Sequence, residues 1–575
     1  MSFLAFAQDQ CALGRAAEAE RQLLAQFPQQ PFPPSADYGL ALAYCNLSLE
    51  KLDQVEVCLG RVAADHGDSG PLLQLALACA RRRGEGSCLP RFRQRLKPFL
   101  DQQPIALEWL QLLQEDLDGA AAKAWAVQLL RRWPHGVAVL EAVRALAWQL
   151  QDPVLLGQAG SDSGPAALLW QGRQRWLLGD QPTAEELLRR CLADGSIPLA
   201  VQYQALQTLV GQVLPHQVEK LLAAFPQFLR VSPDWAWSIG RHYLAAGAWA
   251  QGWPLYEQRY ASGDRAQILP PGFPLRGLEQ LQQARALAGR HVLLYGEQGI
   301  GDMLMFGSLL PELLAEAASV RLLLPPRLVE LFQCSFPTAL VASSFEAADL
   351  DQGQLAFSIG SLGGVYRLRA EDFQGHGPHL WVGPSARQAW RLRLEQLGPG
   401  AKVGIAWRGG GSLGSRVQRS LELEQLLPLL QLPGVRWINL QYGLGPTELE
   451  DFERSHGIRL HHFEGIGENL QATAALTAAL DLVITVQQTA LHIAGGLGVP
   501  AWVLVPAVAE WRYGLEGASM PWYSSVQLFR QQQAGVWQSV IEALVQRLRA
   551  WLVGHNGAIN CSGPGPEPHS DGDRP

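Results

Sequence analysis

At residue 291 the hydrophobic rhythm of the chain changes, and no other feature constrains its fold as strongly. Up to about residue 262, apolar residues return every three or four positions. Examples are "RAAEAERQLLAQF", "DGAAAKAWAVQLLRRW", "TAEELLRRCL" and "HQVEKLLAAF". That is the period of a helix with one buried face. The runs are rich in Ala, Leu, Gln and Glu, which form helices readily, and Pro and Gly fall between them. Strand-like alternation is missing there. From residue 291 the order becomes "HVLLY", a glycine turn, a helix over about 302–317, "VRLLLP", a helix near 327–334 and "LVASS". After a Pro/Gly-bearing joint near 398 the pattern restarts. "VGIAW", "VRWINLQ", "RLHHF", "DLVITV" and "AWVLVP" read as strands, with helices at 422–430, in "NLQATAALTAAL", in "QTALHIAGGLG" and over 536–552. Strand alternating with helix means a parallel sheet covered on both faces. The expected architecture is therefore α followed by α/β. It has an α-helical repeat array over 1–262, two α/β domains over 263–397 and 398–554, and a tail over 555–575 too poor in apolar residues to fold.

A faint repeat runs through the helical part. Gly14 is followed by Ala19 and Leu23, Gly179 by Ala184 and Leu188, and Gly247 by Gly252 and Tyr256, all at the same offsets. This resembles the second half of a tetratricopeptide repeat (TPR): a turn glycine, a small residue where two helices touch, then a large apolar residue. A helix pair cannot bury its apolar face alone, so neighbours stack. Irregular intervals leave an unspecific helical array as the alternative.

With 575 residues the chain is too long for one ordinary domain. Charged residues make up 17% and the formal net charge is −7, which argues against a nucleic-acid-binding surface. Lysines are few, so an anion site is expected to use arginine and its fixed fork of donors. The cysteines are scattered with no Cys-x-x-Cys, as in reduced cytosolic proteins. "MSFLAFAQDQ" has no basic start or long apolar core, and no apolar run reaches the roughly 18 residues of a membrane span. A cytoplasmic chain without a membrane span is the expectation.

In open parallel sheets, ligands bind beyond the C-terminal ends of the strands, so the residues after each strand are the candidates. In "GEQGIGD", Gly299 and Gly301 let backbone approach a ligand, and the new helix offers free N–H groups. Asp302 is either a helix cap or a general base for an acceptor hydroxyl. The loop "RGGGSLGSRVQRS" carries Arg408, Arg416 and Arg419. It suits a phosphate or diphosphate, or is a solvated surface loop. In "VQQTALHIAGG", Thr489 and His492 lie about one turn apart near a helix start that can hold an anion, though a single His on a helix is often structural. His461 and His462, adjacent on a strand, point to opposite faces and cannot share a metal. No metal site or cofactor is expected. Walker, kinase and nucleophile-elbow signatures are absent, and the glycine loop lacks the third glycine of a dinucleotide fingerprint.

These stretches together resemble a known family. "YGEQGIGDMLMF", "VGIAWRGG", "ALDLVITVQQTALHIAGGLGVPAWVLVP" and "EWRYGLEGASMPWYSSVQLFRQ" are similar to segments of bacterial tetratricopeptide-repeat glycosyltransferases, whose catalytic part is like that of the heptosyltransferases (glycosyltransferase family 9). The resemblance covers roughly 240–552. It implies a GT-B fold of two Rossmann-like domains and an inverting, metal-independent transfer from a nucleotide-diphosphate sugar. Asp302 would be the base. Arg408, Arg416, Arg419, Gln487, Gln488, Thr489 and His492 would hold the donor. The acceptor would be a protein or glycan docked by the helical array, which would also bind a protein partner. Two departures stand out. Gln487 and Gln488 occupy the place of the family's Asp-Thr, and the loop after Arg408 lacks the usual asparagines. They keep open a second reading, an interaction scaffold with a degenerate, non-catalytic domain.

Overall fold

The computed structural model describes residues 2–13, 15–26, 35–49, 51–82, 89–115, 118–160, 164–210, 215–262, 273–278, 281, 286–345, 354–410, 413–444 and 447–561. Most of the expected tail, 562–575, lies outside them, as does Gly14. The chain divides into two compact units near residue 161.

The described residues of the first unit form helices, from Phe3–Ala12 to Pro153–Gln158. Their apolar stripes meet in a core that includes Leu23, Tyr38, Leu72, Leu73 and Leu77. Asp118 and Asp152 cap the helices that follow them by accepting backbone N–H bonds.

The second unit opens with further helices, including Ala167–Leu177, Gln181–Ala193, Pro233–Ala245 and Trp249–Tyr256. The repeated offsets have a packing meaning here. Gly179 and Gly247 adopt left-handed φ of 81° and 78° at the turns. Ala184, Leu188 and Tyr256 are fully buried. At Gly252 a Cβ would stand 2.6 Å from Leu244 of the partner helix, so only glycine allows that approach.

Two sheets follow. The first holds β1 (His291–Tyr295), β2 (Ser319–Leu323), β3 (Leu340–Ala342) and β4 (Leu355–Ser358), all parallel, in the order β3-β2-β1-β4. The second holds β5 (Ala401–Ala406), β6 (Val435–Asn439), β7 (Leu460–His461), β8 (Leu482–Val486), β9 (Ala501–Val505), β10 (Ser519–Met520) and β11 (Tyr523–Arg530). Its order is β10-β11-β9-β8-β5-β6-β7, parallel except at β10–β11. β8 and β9 are buried along their whole length, as strands covered on both faces must be. The mixed helical and Rossmann-like parallel-sheet architecture agrees with the α plus α/β expectation.

Three local expectations need correcting. The helix foreseen over 302–317 is Ile300–Phe306, a 3-10 turn and then Leu310–Glu316, because Pro311 has no N–H to continue the ladder. The helix foreseen over 422–430 breaks likewise before Pro428. The closing helix, Gln538–Cys561, runs past residue 554.

The end of the helical part is built into the first sheet. Arg259, fully buried, sends Nε and Nη2 to the two carboxylate oxygens of Glu297 at 2.7 and 2.8 Å. Glu297 also accepts from the Gly360 N–H at 3.0 Å. Arg259 donates further to Glu257 and Ser361. Trp253 closes the same interface, its indole N–H donating to the Arg367 carbonyl at 2.6 Å. Removing one member of a buried pair leaves the other charge uncompensated. Arg259→Ala is expected to lower stability by about 3–5 kcal/mol, measured by chemical denaturation. A loss under about 1 kcal/mol, as for an exposed pair, would contradict the assignment.

Candidate functional site

The loop after β1 carries the first half of the site. Gly299 caps the helix Ile300–Phe306. Asp302, at its third position, accepts the Gly299 N–H at 3.2 Å through Oδ2. The loop after β8 carries the second half. Gln487 leads to Gln488, which caps the helix Thr489–Gly496. The two helices meet where Gly301 faces His492, and a Cβ at 301 would lie 2.8 Å from the imidazole Cδ2. Glycine at this position is required by close approach, since its φ is not left-handed.

A third element comes from the segment after β9. Its 3-10 turn Trp511–Tyr513 presents Arg512, whose Nη2 donates to Asp302 Oδ1. Asp302 therefore caps its helix and also forms an ion pair. Arg512 is nearly buried, which by itself lowers its pKa. The charge of Asp302, with help from Glu510, more than reverses that and holds it above its ordinary value. The guanidinium is permanently charged.

Arg419 closes another wall. It ends the helix Leu413–Arg419, lies across Gly409 and donates to the Gly410 carbonyl. Arg327, beyond β2, donates to the Gly467 and Glu468 carbonyls of the second sheet's loops. These groups surround a cavity of about 350 Å³. Tyr442, Gly467 and Arg327 are shared with an adjoining cavity of about 1020 Å³.

The smaller cavity is cationic. Its charged lining residues are Arg327, Arg419 and Arg512 against Asp302. His492 contributes no charge. Burial first, then the neighbouring Arg512 and His379, depress its pKa well below the ordinary value. Its Nδ1 lies 3.1 Å from the Tyr523 hydroxyl, leaving Nε2 to carry the proton when the hydroxyl is the donor. Gln487 Nε2, Gln488 Oε1, Arg419 Nε and Arg512 Nε are buried without a hydrogen-bond partner. All four belong to residues that line this one cavity. Buried polar atoms are normally paired, and their concentration here is what a polar, anionic ligand would satisfy.

Of the residues singled out from the sequence, Gly299, Gly301, Asp302, Arg419, Gln487, Gln488, Thr489 and His492 line the cavity. Arg408 and Arg416 do not. The Arg408 guanidinium pairs with Glu448 at 2.7 Å and Glu422 at 3.4 Å. Arg416 sits half-buried in a short helix where a glycine-rich loop was expected. Arg512, Arg327, Tyr442 and Tyr513 were not foreseen. Arg512 lies in the segment after a buried strand, β9, so the strand-end rule applied to the other loops would have found it. Among the described residues no three His, Cys, Asp or Glu side chains gather as metal ligands. No described helix is long and apolar enough to cross a membrane.

Two measurements check this geometry. Gly301→Ala is expected to cost about 1–3 kcal/mol, as overpacking does, and wild-type stability in that variant would remove the close approach. The second concerns His379, whose Nε2 meets the Leu304 carbonyl at 2.9 Å behind the site. Burial lowers its pKa to about 4, against that hydrogen bond. A depressed histidine contributes stability above its unfolded pKa, near 6.5, and loses it as pH falls toward 4. Acidification from pH 6.5 should thus cost about 1.4 kcal/mol per pH unit for this residue, and denaturation of His379→Gln should show a slope shallower by that amount.

No family model matches the chain. Protein FlbA of Caulobacter vibrioides is 32% identical over 326 residues, which cover 53% of each chain. The chain thus spans about half the length of this curated relative. Among solved structures, a glycosyl transferase family 9 protein from Veillonella parvula matches with a TM-score of 0.36 and 11% identity, over 47% of this chain and all of that one. Likeness at that level bears no weight for the chemistry of this site.

Proposed function

We propose that the chain is an inverting glycosyltransferase that moves a sugar from a nucleotide-diphosphate donor to a hydroxyl of a protein or glycan acceptor. The observation that carries this reading is the meeting, in one cavity, of a single carboxylate, three guanidinium groups and the start of the helix Thr489–Gly496. The sequence resemblance to the heptosyltransferase-like catalytic region supports it.

On this reading the donor diphosphate lies against Arg419, the Thr489 hydroxyl and the free N–H groups that open that helix. The acceptor oxygen bonds to the anomeric carbon as the carbon–oxygen bond to the diphosphate breaks, and the acceptor proton passes to Asp302. Negative charge gathers on the departing diphosphate, where fixed cations are most effective in a partly dry site. Arg512 holds the Asp302 carboxylate in place through their ion pair, and neutral His492 offers a donor without adding charge. The Gln487 and Gln488 amides can both donate and accept toward sugar hydroxyls. The adjoining larger cavity accommodates the nucleoside. The TPR-like helical array docks the acceptor or a protein partner.

A second reading is a scaffold whose transferase-like domain is not catalytic. Both oxygens of Asp302 are already engaged, and Gln487 stands where the family has an acid. Nucleotide-dependent stabilisation separates the two. A nucleoside diphosphate at 100 times its dissociation constant should add about 2.7 kcal/mol. A melting point unmoved by UDP, ADP, GDP and dTDP would leave the scaffold. Asp302→Asn is expected to abolish turnover while keeping donor affinity, and full activity there would reduce Asp302 to a helix cap. Arg419→Ala should weaken diphosphate binding by about tenfold or more, the worth of a charge-assisted hydrogen bond. Hydrolysis of a panel of nucleotide sugars would identify the donor.

A further inference from the structure

We infer that Tyr256 is a positioning residue for Asp302, acting through Gln298. This rests on the transferase reading of the site above. Among the described residues, Gln151 and Gln298 are the non-glycine positions with left-handed φ, 54° and 61°. Gln151 lies just past the helix Val137–Gln149, a usual place for that conformation. Gln298 sits in the middle of the functional loop, where a side chain in that conformation is strained and persists only when its surroundings dictate it.

The surroundings are specific. Gln298 Nε2 donates to the Tyr256 hydroxyl at 2.7 Å. Tyr256 is fully buried. Its ring is held by the Arg259 guanidinium 4.5 Å above it and by Trp253, Trp511 and Phe306 around it. Burial, then the charge of Glu297, keeps the phenol far above its ordinary pKa and so protonated. On the N-terminal side Glu297 is clamped by Arg259 and Gly360. On the C-terminal side the Gly299 N–H points to Asp302. Releasing Gln298 to an ordinary φ turns the peptide that carries this N–H, so the carboxylate loses its cap and its aim. Tyr256 comes from the helical part of the chain, not from either sheet.

Tyr256→Phe removes the hydroxyl and keeps the ring. Hydrogen exchange over 297–303 should then speed up about tenfold or more, with helices of the first unit unchanged. Transfer kcat should fall about ten- to a hundredfold, the scale of a misplaced reacting group, while the donor KM stays within about twofold. Gln298→Ala should behave the same way, and the double variant should be no worse than either single one, because the two residues act as a unit. Gln298→Gly in the Tyr256→Phe background should recover part of kcat, since glycine holds this φ without strain. Wild-type exchange over 297–303 in Tyr256→Phe, or additive losses in the double variant, would overturn the proposal. Faster exchange in a protein that transfers no sugar would keep the latch and remove the transferase reading instead.

Discussion

The buried pair of Arg259 and Glu297 is the interaction on which the rest of the site depends. A carboxylate and a guanidinium taken out of water together are costly unless their remaining hydrogen-bonding capacity is met. Here it is met: Glu297 receives two bonds from Arg259 and one from the Gly360 backbone, and Arg259 also reaches Glu257, Ser361 and the Tyr256 carbonyl. These bonds hold Glu297 just past the end of β1, where the strand hands over to the glycine loop. Gly299, Gly301 and Asp302 inherit their positions from it.

Beyond the loop, electrostatics takes over. Asp302 faces Arg512 from the segment after β9, and the opposite walls add Arg327 and Arg419. The positive excess is not shared by the histidine, because burial first, and then the charge of Arg512 beside it, disfavours its protonated form. The result is a cavity with fixed charges at defined places and a neutral hydrogen-bonding ring between them. Such an arrangement needs little reorganisation when charge shifts within it.

Much of the frame was legible in the sequence, for definite reasons. β1, β5, β6, β8 and β9 are buried on both faces or nearly so, and such strands must be continuous apolar runs. β11 was missed because "YSSVQLFR" carries polar residues at half its positions, the mark of a sheet strand with one less covered face. β4 was missed because its four residues are too few for a period to show. The cavity's loop residues could be found by inspecting the segment just past each strand. Arg512, past β9, falls under that rule, whereas Arg327 reaches across to the Gly467 and Glu468 carbonyls of the other sheet's loops, and nothing local announces that. The glutamate in "GEQGIGD" reads as part of a ligand loop, yet its partner is 38 residues earlier in the helical part.

The sequence changes rhythm between 262 and 291, yet among the described residues the end of the helical part is bonded directly into the first sheet's loops. The turns carrying Trp253, Tyr256 and Arg259 behave as a plug seated in the first sheet. A fragment starting after them would expose a carboxylate at the floor of an apolar socket and leave the glycine loop without its backing. Severing the protein cleanly would call for a cut well upstream, so that the plug travels with the sheets it fills.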